Sequence, residues 1–99
     1  MAKKEVEFHE AASEEFEAAF DWYWERSAGA AARFAGEVSR AVASVAEAPQ
    51  RWPAGIHGTR KFLLRRFPFA LIYRELPSII QVLAVAHGHR RPGYWKGRR

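Results

Sequence analysis

The 99-residue sequence has no cysteine, which excludes a disulfide framework and catalysis by a thiol. It also lacks an apolar stretch near the N-terminus that could serve as a signal peptide, and no apolar run approaches the length needed to cross a membrane. We therefore expect a soluble, cytoplasmic protein without a membrane partner. Neither a metal nor another cofactor is expected.

Acidic residues are nearly missing from the C-terminal part of the chain. Residues 60–99 contain ten of the 16 lysines and arginines but one of the 11 acidic residues, Glu75, so their net charge is +9. Residues 1–59 carry six basic and ten acidic residues, a net charge of −4, and the formal +5 of the whole chain conceals this polarity. A basic half of this kind favours phosphates or an acidic protein as partner.

Apolar residues are plentiful despite this charge. Hydrophobic residues make up 48% of the chain and aromatic residues 14%, which is enough to offset the entropy lost on folding. A chain of this length suits one modest core, so we expect residues 1–99 to form a single domain. Because apolar runs separate the arginines of the C-terminal part, that part should fold and present its charge at a surface.

Apolar residues recur twice with helical spacing in the first half of the sequence. The pattern predicts amphipathic helices over residues 11–26 and 30–48, the second ending at Pro49. Ser27 is a candidate N-cap for the second helix, and Gly29 is a candidate left-handed C-cap for the first. Residues 5–9 alternate between apolar and polar side chains, which predicts a half-buried strand.

The second half of the sequence favours strands. Residues 49–58 are rich in proline and glycine and predict a loop that Trp52 and Ile56 hold in place. Three β-rich runs follow, over residues 59–65, 69–75 and 79–86, with the short connections of an antiparallel meander. The predicted fold is α+β with the order β-α-α-β-β-β, in which a helical hairpin packs on one face of a small, largely antiparallel sheet.

An ordered set of motifs resembles the RelE/ParE family of toxins. The Trp22-Tyr23 pair and the alanine-rich second helix add to the resemblance, which covers nearly the whole chain. The motifs are Trp52-Pro53, GTRKFLLRRFPF at residues 58–69, IYR at residues 72–74 and VAHGHRRPGYW at residues 85–95. The resemblance implies the β-α-α-β-β-β fold and the toxin half of a bacterial type II toxin–antitoxin pair.

Resemblance to the RelE branch would imply a metal-independent endoribonuclease that cuts messenger RNA on the ribosome. Such a reaction needs a group that accepts the ribose 2′ proton and cations that stabilise the phosphorane. Histidine suits proton transfer because its ordinary pKa of ~6.5 lies near neutrality. The catalytic residues implied by this branch are His87, Arg65, Arg91 and Tyr94.

Resemblance to the ParE branch would imply a binding inhibitor of DNA gyrase with no catalytic residues of its own. Two features favour this branch: Lys61 is the lone lysine of the central strands, and no carboxylate accompanies the basic cluster as a base. A basic nucleic-acid-binding domain without toxicity is a third alternative. The expected target-binding residues are Arg60, Arg66, Arg74, His89, Arg90, Tyr94 and Trp95.

The last ten residues interleave aromatic and basic side chains, a combination that can stack on bases and hold phosphates. Alternatively, Tyr94 and Trp95 fold back on the sheet as a lid while the terminal arginines extend into solvent. The family also implies a cognate antitoxin, expected to be acidic and partly disordered. Trp22 and Trp24 are the candidate antitoxin-binding residues, since aromatic anchors dominate many interfaces; Trp22 could instead pack on the second helix.

Overall fold

The computed structural model describes residues 3–99. The order of elements is the predicted one, β-α-α-β-β-β, with a short 3₁₀ turn before the second strand. The elements are β1 (Glu5–Phe8), α1 (Glu10–Arg26), α2 (Ala28–Glu47), the 3₁₀ turn (Ile56–Gly58), β2 (Arg60–Leu63), β3 (Phe69–Glu75) and β4 (Ile79–His87). Among residues 3–99, no helix is both long enough and apolar enough to cross a membrane.

A single residue, Ser27, joins the two helices. Its backbone N–H donates to the carbonyl of Tyr23 at 2.8 Å and ends α1, while its Oγ accepts from the N–H of Ala30 at 3.2 Å and begins α2. The N-cap prediction is confirmed. The predicted C-cap at Gly29 is wrong, because the extended backbone of Ser27 makes the corner and Gly29 already lies inside α2.

The four strands form one mixed sheet in the order β1-β4-β3-β2. β2, β3 and β4 form the predicted antiparallel meander, and β1 runs parallel to β4 along Ile79–Val82. Between β3 and β4 the register shifts after Ile72, so that Leu83 and Ala84 both contribute to the same buried cluster. The largely antiparallel α+β architecture predicted from the sequence is confirmed.

The helical hairpin covers one face of the sheet and encloses the main core. Phe34 of α2 and Tyr73 of β3 are both fully buried there. Of the apolar stripe predicted for the second helix, Ala31, Phe34, Val38, Ala41 and Val45 are buried, whereas Ala35 and Val42 are half-buried. This packing fixes the sheet from behind and leaves its opposite face for other contacts.

The loop between α2 and β2 is held by polar contacts as well as by Trp52. The Trp52 ring packs on Phe62 at 4.7 Å between centroids, as predicted. Ile56, in contrast, is 57% exposed, so the expectation that it pins the loop is wrong. The reason is that the Thr59 hydroxyl donates to the Ile56 carbonyl and the Tyr73 hydroxyl to the Pro49 carbonyl, both at 2.7 Å, which fixes the backbone instead.

Candidate functional site

The outer face of the sheet, which points away from the helices, is partly covered by the C-terminal segment, residues 88–99. Trp95 is 7% exposed and packs against Ala70, Ile72, Leu83 and Ala84. Tyr94 lies against the same cluster. Of the two alternatives for these aromatic rings, the structure therefore has the one in which they fold back on the sheet. In this conformation the Trp95 ring is not available to stack on a target.

Glu15 of α1 anchors this segment. Its Oε1 accepts from Arg98 Nη1 at 2.9 Å and from the Val85 N–H at 3.0 Å. Its Oε2 accepts from Arg98 Nη2 at 2.9 Å and from the Tyr94 hydroxyl at 2.7 Å. The guanidinium of Arg90 lies 4.0 Å from the same carboxylate. Contrary to the expectation that the terminal arginines extend into solvent, Arg98 is thus held by an ion pair.

Glu15 was not among the functional residues predicted from the sequence. That residue lies three positions after Ala12 and four before Ala19, the two buried residues of α1. A carboxylate on the buried stripe of an amphipathic helix indicates a partner inside the structure. The partner Arg98 is 83 residues away, however, so no local spacing could reveal it.

The environment of the Glu15 carboxyl favours its ionised form. Burial raises its pKa, but the hydrogen bonds from Arg98, Tyr94 and the Val85 N–H outweigh burial, and the net pKa is lowered from 4.5. Burial, and then the hydrogen bond to this carboxylate, raise the pKa of Tyr94. The hydrogen bond to Glu15 raises the pKa of Arg98. Tyr94 therefore stays protonated and acts as a donor to Glu15.

Glu15 should make the stability of the protein depend on pH in the acid range. A carboxyl whose pKa is lowered on folding contributes stability that is fully present above its unfolded value, here 4.5, and is lost as the pH falls through the folded value. We expect the free energy of unfolding to differ most between the wild type and Glu15→Gln near neutral pH, and least once the pH has fallen below the lowered pKa of Glu15. Urea unfolding across this range measures it. A difference independent of pH would contradict the prediction.

Basic side chains meet at a cleft of about 500 Å³ on the outer face, which we call the basic cleft. Lys61 lines it from β2, His87 from the end of β4, and Arg90 and Arg91 from the C-terminal segment. Trp95 is also part of its wall. Within residues 3–99, no acidic side chain lines this cleft. The arrangement can bind an anionic group or a negatively charged protein surface.

Arg65 and Arg66 lie beside the cleft, at the turn between β2 and β3. The backbone N–H groups of both residues donate to Oε2 of Glu37, the second at 3.2 Å. This contact ties the turn to α2 while both arginines remain exposed. Glu37, like Glu15, is a carboxylate that positions the basic surface and that the sequence pattern did not indicate.

The guanidinium groups of two predicted target-binding arginines, Arg60 and Arg74, are engaged in hydrogen bonds within the chain. Arg60 borders the cleft, but its Nη1 donates to the carbonyl of Trp52 at 2.7 Å. Arg74 lies farther along β3, and its Nε donates to Gln81 of β4 at 3.0 Å. The predicted gathering of the C-terminal cations on one surface therefore holds for Arg90 and Arg91, with Arg65 and Arg66 adjacent, but not for Arg74 and Arg98.

The two candidate histidines contact each other at the end of β4. The His89 N–H donates to Nδ1 of His87 at 3.0 Å, and their rings meet edge to face at 4.9 Å between centroids. Because Nδ1 of His87 is an acceptor, the neutral ring carries its proton on Nε2. His87 lines the basic cleft, whereas His89 is exposed in the turn that follows. No three His, Asp or Glu side chains of the described residues are grouped as a metal site.

The two candidate antitoxin-binding tryptophans are exposed on α1. Trp22 is 52% exposed and Trp24 is 58% exposed. The Arg26 guanidinium lies 3.5 Å from the centroid of the Trp22 ring, and Trp24 stacks on Phe20. Trp22 therefore does not pack into the interface with α2.

Trp22 also borders a groove of about 460 Å³, which we call the apolar groove. Glu15, Ala18 and Tyr23 line it from α1, Phe69 lines it from β3, and His87 and Arg90 line it from the end of β4 and the segment that follows. Arg90 and His87 also line the basic cleft, so the two depressions are neighbours that share these residues.

Comparison with known proteins identifies the family. Residues 6–92 match the family described as ParE toxin of the type II toxin–antitoxin system ParDE. No curated protein matches the chain. Among solved structures, a chain from the chromosomal ParDE toxin–antitoxin system of P. aeruginosa has a similar fold, with a TM-score of 0.71 at 19% identity; the match covers 86% of this chain and 96% of that one. The chain described here thus belongs to the family of ParE toxins of type II toxin–antitoxin systems.

Proposed function

We propose that this ParE-family toxin inhibits DNA gyrase by binding to it, in the cytoplasm, and that a cognate acidic antitoxin neutralises it. The family assignment supports a toxin with an antitoxin partner. The basic cleft supports a target that is anionic at the point of contact, since Lys61, Arg90 and Arg91 line it and no acidic side chain among residues 3–99 is part of its lining.

The position of the Tyr94 hydroxyl favours a binding inhibitor over a ribonuclease. This hydroxyl donates to Glu15 at 2.7 Å, on the side of the tail that faces α1. The implied base His87 uses Nδ1 to accept from a backbone N–H, and Arg65 lies on the separate turn between β2 and β3. General acid–base catalysis requires such groups within hydrogen-bond reach of one reacting centre. His87, Arg91 and Tyr94 line the same cleft, but the Tyr94 hydroxyl is bound to Glu15 and Arg65 is not among the lining residues, which favours a binding surface over a complete catalytic set.

The antitoxin is proposed to engage the apolar groove and the exposed aromatic side chains of α1. Trp22 lines this groove and Trp24 lies two residues farther along the same helix. An acidic, partly disordered segment would approach by electrostatic attraction to Arg90 and place an apolar side chain between α1 and β3.

A supercoiling assay tests the proposed target. We expect the purified protein to block supercoiling by purified gyrase, and its expression without the antitoxin to cause DNA breaks and growth arrest. Growth arrest should be relieved by co-expression of the cognate antitoxin. The control is a lysate translation reaction in which messenger RNA is mapped for cuts.

The same experiment separates the alternatives. Messenger RNA cuts that depend on translation and disappear in His87→Ala would show a ribonuclease and overturn the proposal. Normal growth in every host tested, with gyrase unaffected, would instead favour the basic nucleic-acid-binding domain without toxicity. Blocked supercoiling with intact messenger RNA is the result that the proposal requires.

A further inference from the structure

The Glu15–Arg98 pair occupies a place at the sheet that a strand would otherwise take. β1 pairs with β4 along Ile79–Val82, while β4 continues to His87. Beyond Val82, the Val85 N–H donates to Glu15, and the Leu83 carbonyl accepts from Arg98 Nη1 at 2.8 Å. Backbone polar groups at a sheet edge need partners, and here two side chains provide them.

The geometry of this anchor is specific to a carboxylate and a guanidinium. Each Nη atom of Arg98 donates to a different oxygen of Glu15 at 2.9 Å, and both side chains are 17% exposed. A bidentate ion pair of this kind fixes the orientation of the guanidinium as well as its distance from the carboxylate. Lysine cannot reproduce it, because an ammonium group lacks the planar fork.

The Glu15–Arg98 pair also affects the position of Arg90, a cation of the basic cleft that lies 4.0 Å from Glu15. Tyr94 and Arg98, the two tail residues bound to Glu15, stand on either side of the buried Trp95. The Arg90 guanidinium in turn lies 3.9 Å from the centroid of the Tyr94 ring. Arg90 and Tyr94 line the basic cleft. Without Glu15 they would make fewer contacts, and less of the entropy lost on ordering them would be offset.

We infer that Glu15 is a positioning residue, which holds the C-terminal segment on β4 and so preforms the basic cleft for its target. This inference rests on the proposed function for the identity of that target. Glu15 itself has all its oxygen contacts within the chain and lies on α1, outside the residues that line the cleft. Its effect on target binding is therefore indirect, through Tyr94, Arg98 and Arg90.

Amide hydrogen exchange of the full chain tests the inference without reference to any target. In Glu15→Gln, the amides of Tyr94, Lys96 and Arg98, which are hydrogen-bonded within tail turns, should exchange at least about tenfold faster than in the wild type. The amides of the central strand β3 serve as an internal reference for the intact core. The matched control is Glu14→Gln, which removes the same charge one position away on the exposed face of α1.

A second variant, made in the C-terminal segment, distinguishes loss of the ion pair from a folding defect in α1. Arg98→Gln removes the same ion pair from the tail, so its effect on exchange should match that of Glu15→Gln, and the double variant should add little to either. Additive effects of the two substitutions would mean that they act separately and would overturn the inference.

Inhibition of gyrase by the same variants tests the second part of the inference, the effect of Glu15 on target binding. We expect Glu15→Gln to require about tenfold more protein for half-inhibition, while Glu14→Gln matches the wild type. Unchanged tail exchange overturns the inference whatever gyrase does. Faster exchange with undiminished inhibition overturns the positioning role. Faster exchange with a wild type that never inhibits gyrase supports the anchoring by Glu15 and overturns the proposed target alone.

Discussion

Phe34→Ala should lower the free energy of unfolding by about 3 to 5 kcal/mol, the range seen when a buried phenylalanine is truncated. The Phe34 side chain is fully buried between the helical hairpin and the sheet. Its ring lies 5.2 to 5.5 Å from the ring centroids of Phe16, Tyr23, Phe67 and Phe69. The four neighbours, two on α1, one in the turn before β3 and one on β3, cannot all move to fill the cavity, so the loss should be near the upper part of this range.

Such a loss is large relative to the total stability of a small domain, about 5 to 15 kcal/mol. Urea unfolding followed by circular dichroism measures it, and much of the variant should be unfolded at physiological temperature. The control is Leu63→Ala, because Leu63 is 65% exposed and its truncation should change the stability by no more than about 0.5 kcal/mol. Equal effects of the two substitutions would show that the core is not organised around Phe34.

Reversing two charges of the basic cleft, with Lys61→Glu and Arg91→Glu together, should raise the concentration for half-inhibition of gyrase by about 30-fold or more. Lys61 lines the cleft from β2 and Arg91 from the C-terminal segment, and both side chains are exposed. Replacing an attraction by a repulsion at an interface costs about 2 to 5 kcal/mol, and each 1.4 kcal/mol corresponds to about tenfold in affinity. The fold should remain intact, because neither side chain belongs to the core.

The matched control changes the net charge by the same amount at a different place. Arg33→Glu with Arg40→Glu reverses two exposed cations on α2, which covers the other face of the sheet. Supercoiling assays of the two double variants at several salt concentrations separate local from general electrostatics. If the α2 variant lost as much inhibition as the cleft variant, the basic cleft would not be the contact surface.

The helices and strands were predictable because their signals are local. The apolar stripe of α2 repeats at helical spacing, and the structure buries Phe34, Val38 and Val45 from that stripe. Boundaries shifted by one or two residues where a backbone contact ended an element, as at Leu63 in β2. The two wrong details, Gly29 and Ile56, lie at a helix corner and in a loop, where a single hydrogen bond decides the conformation.

The candidate site was predictable in part. Charge counting placed the basic surface in residues 60–99, and Arg90 and Arg91 are indeed brought together in the cleft. Charge counting could not distinguish Arg90 and Arg91 from Arg98, which occurs in the same basic tail but is bound to Glu15. It also gave no reason to select Lys61, whose place in the cleft follows from its position on β2.

The sequence by itself determined the type and order of the elements and the polarity of the charge, because periodicity, capping and composition act between near neighbours or need no geometry at all. The tertiary structure decided which cations remain available to a partner. That outcome depends on contacts between residues far apart in the chain, above all Glu15 with Arg98 and Glu37 with the turn at Arg65 and Arg66. Such pairs form only after the sheet has brought α1, α2 and the C-terminal segment into contact, so local sequence patterns do not identify the two partners.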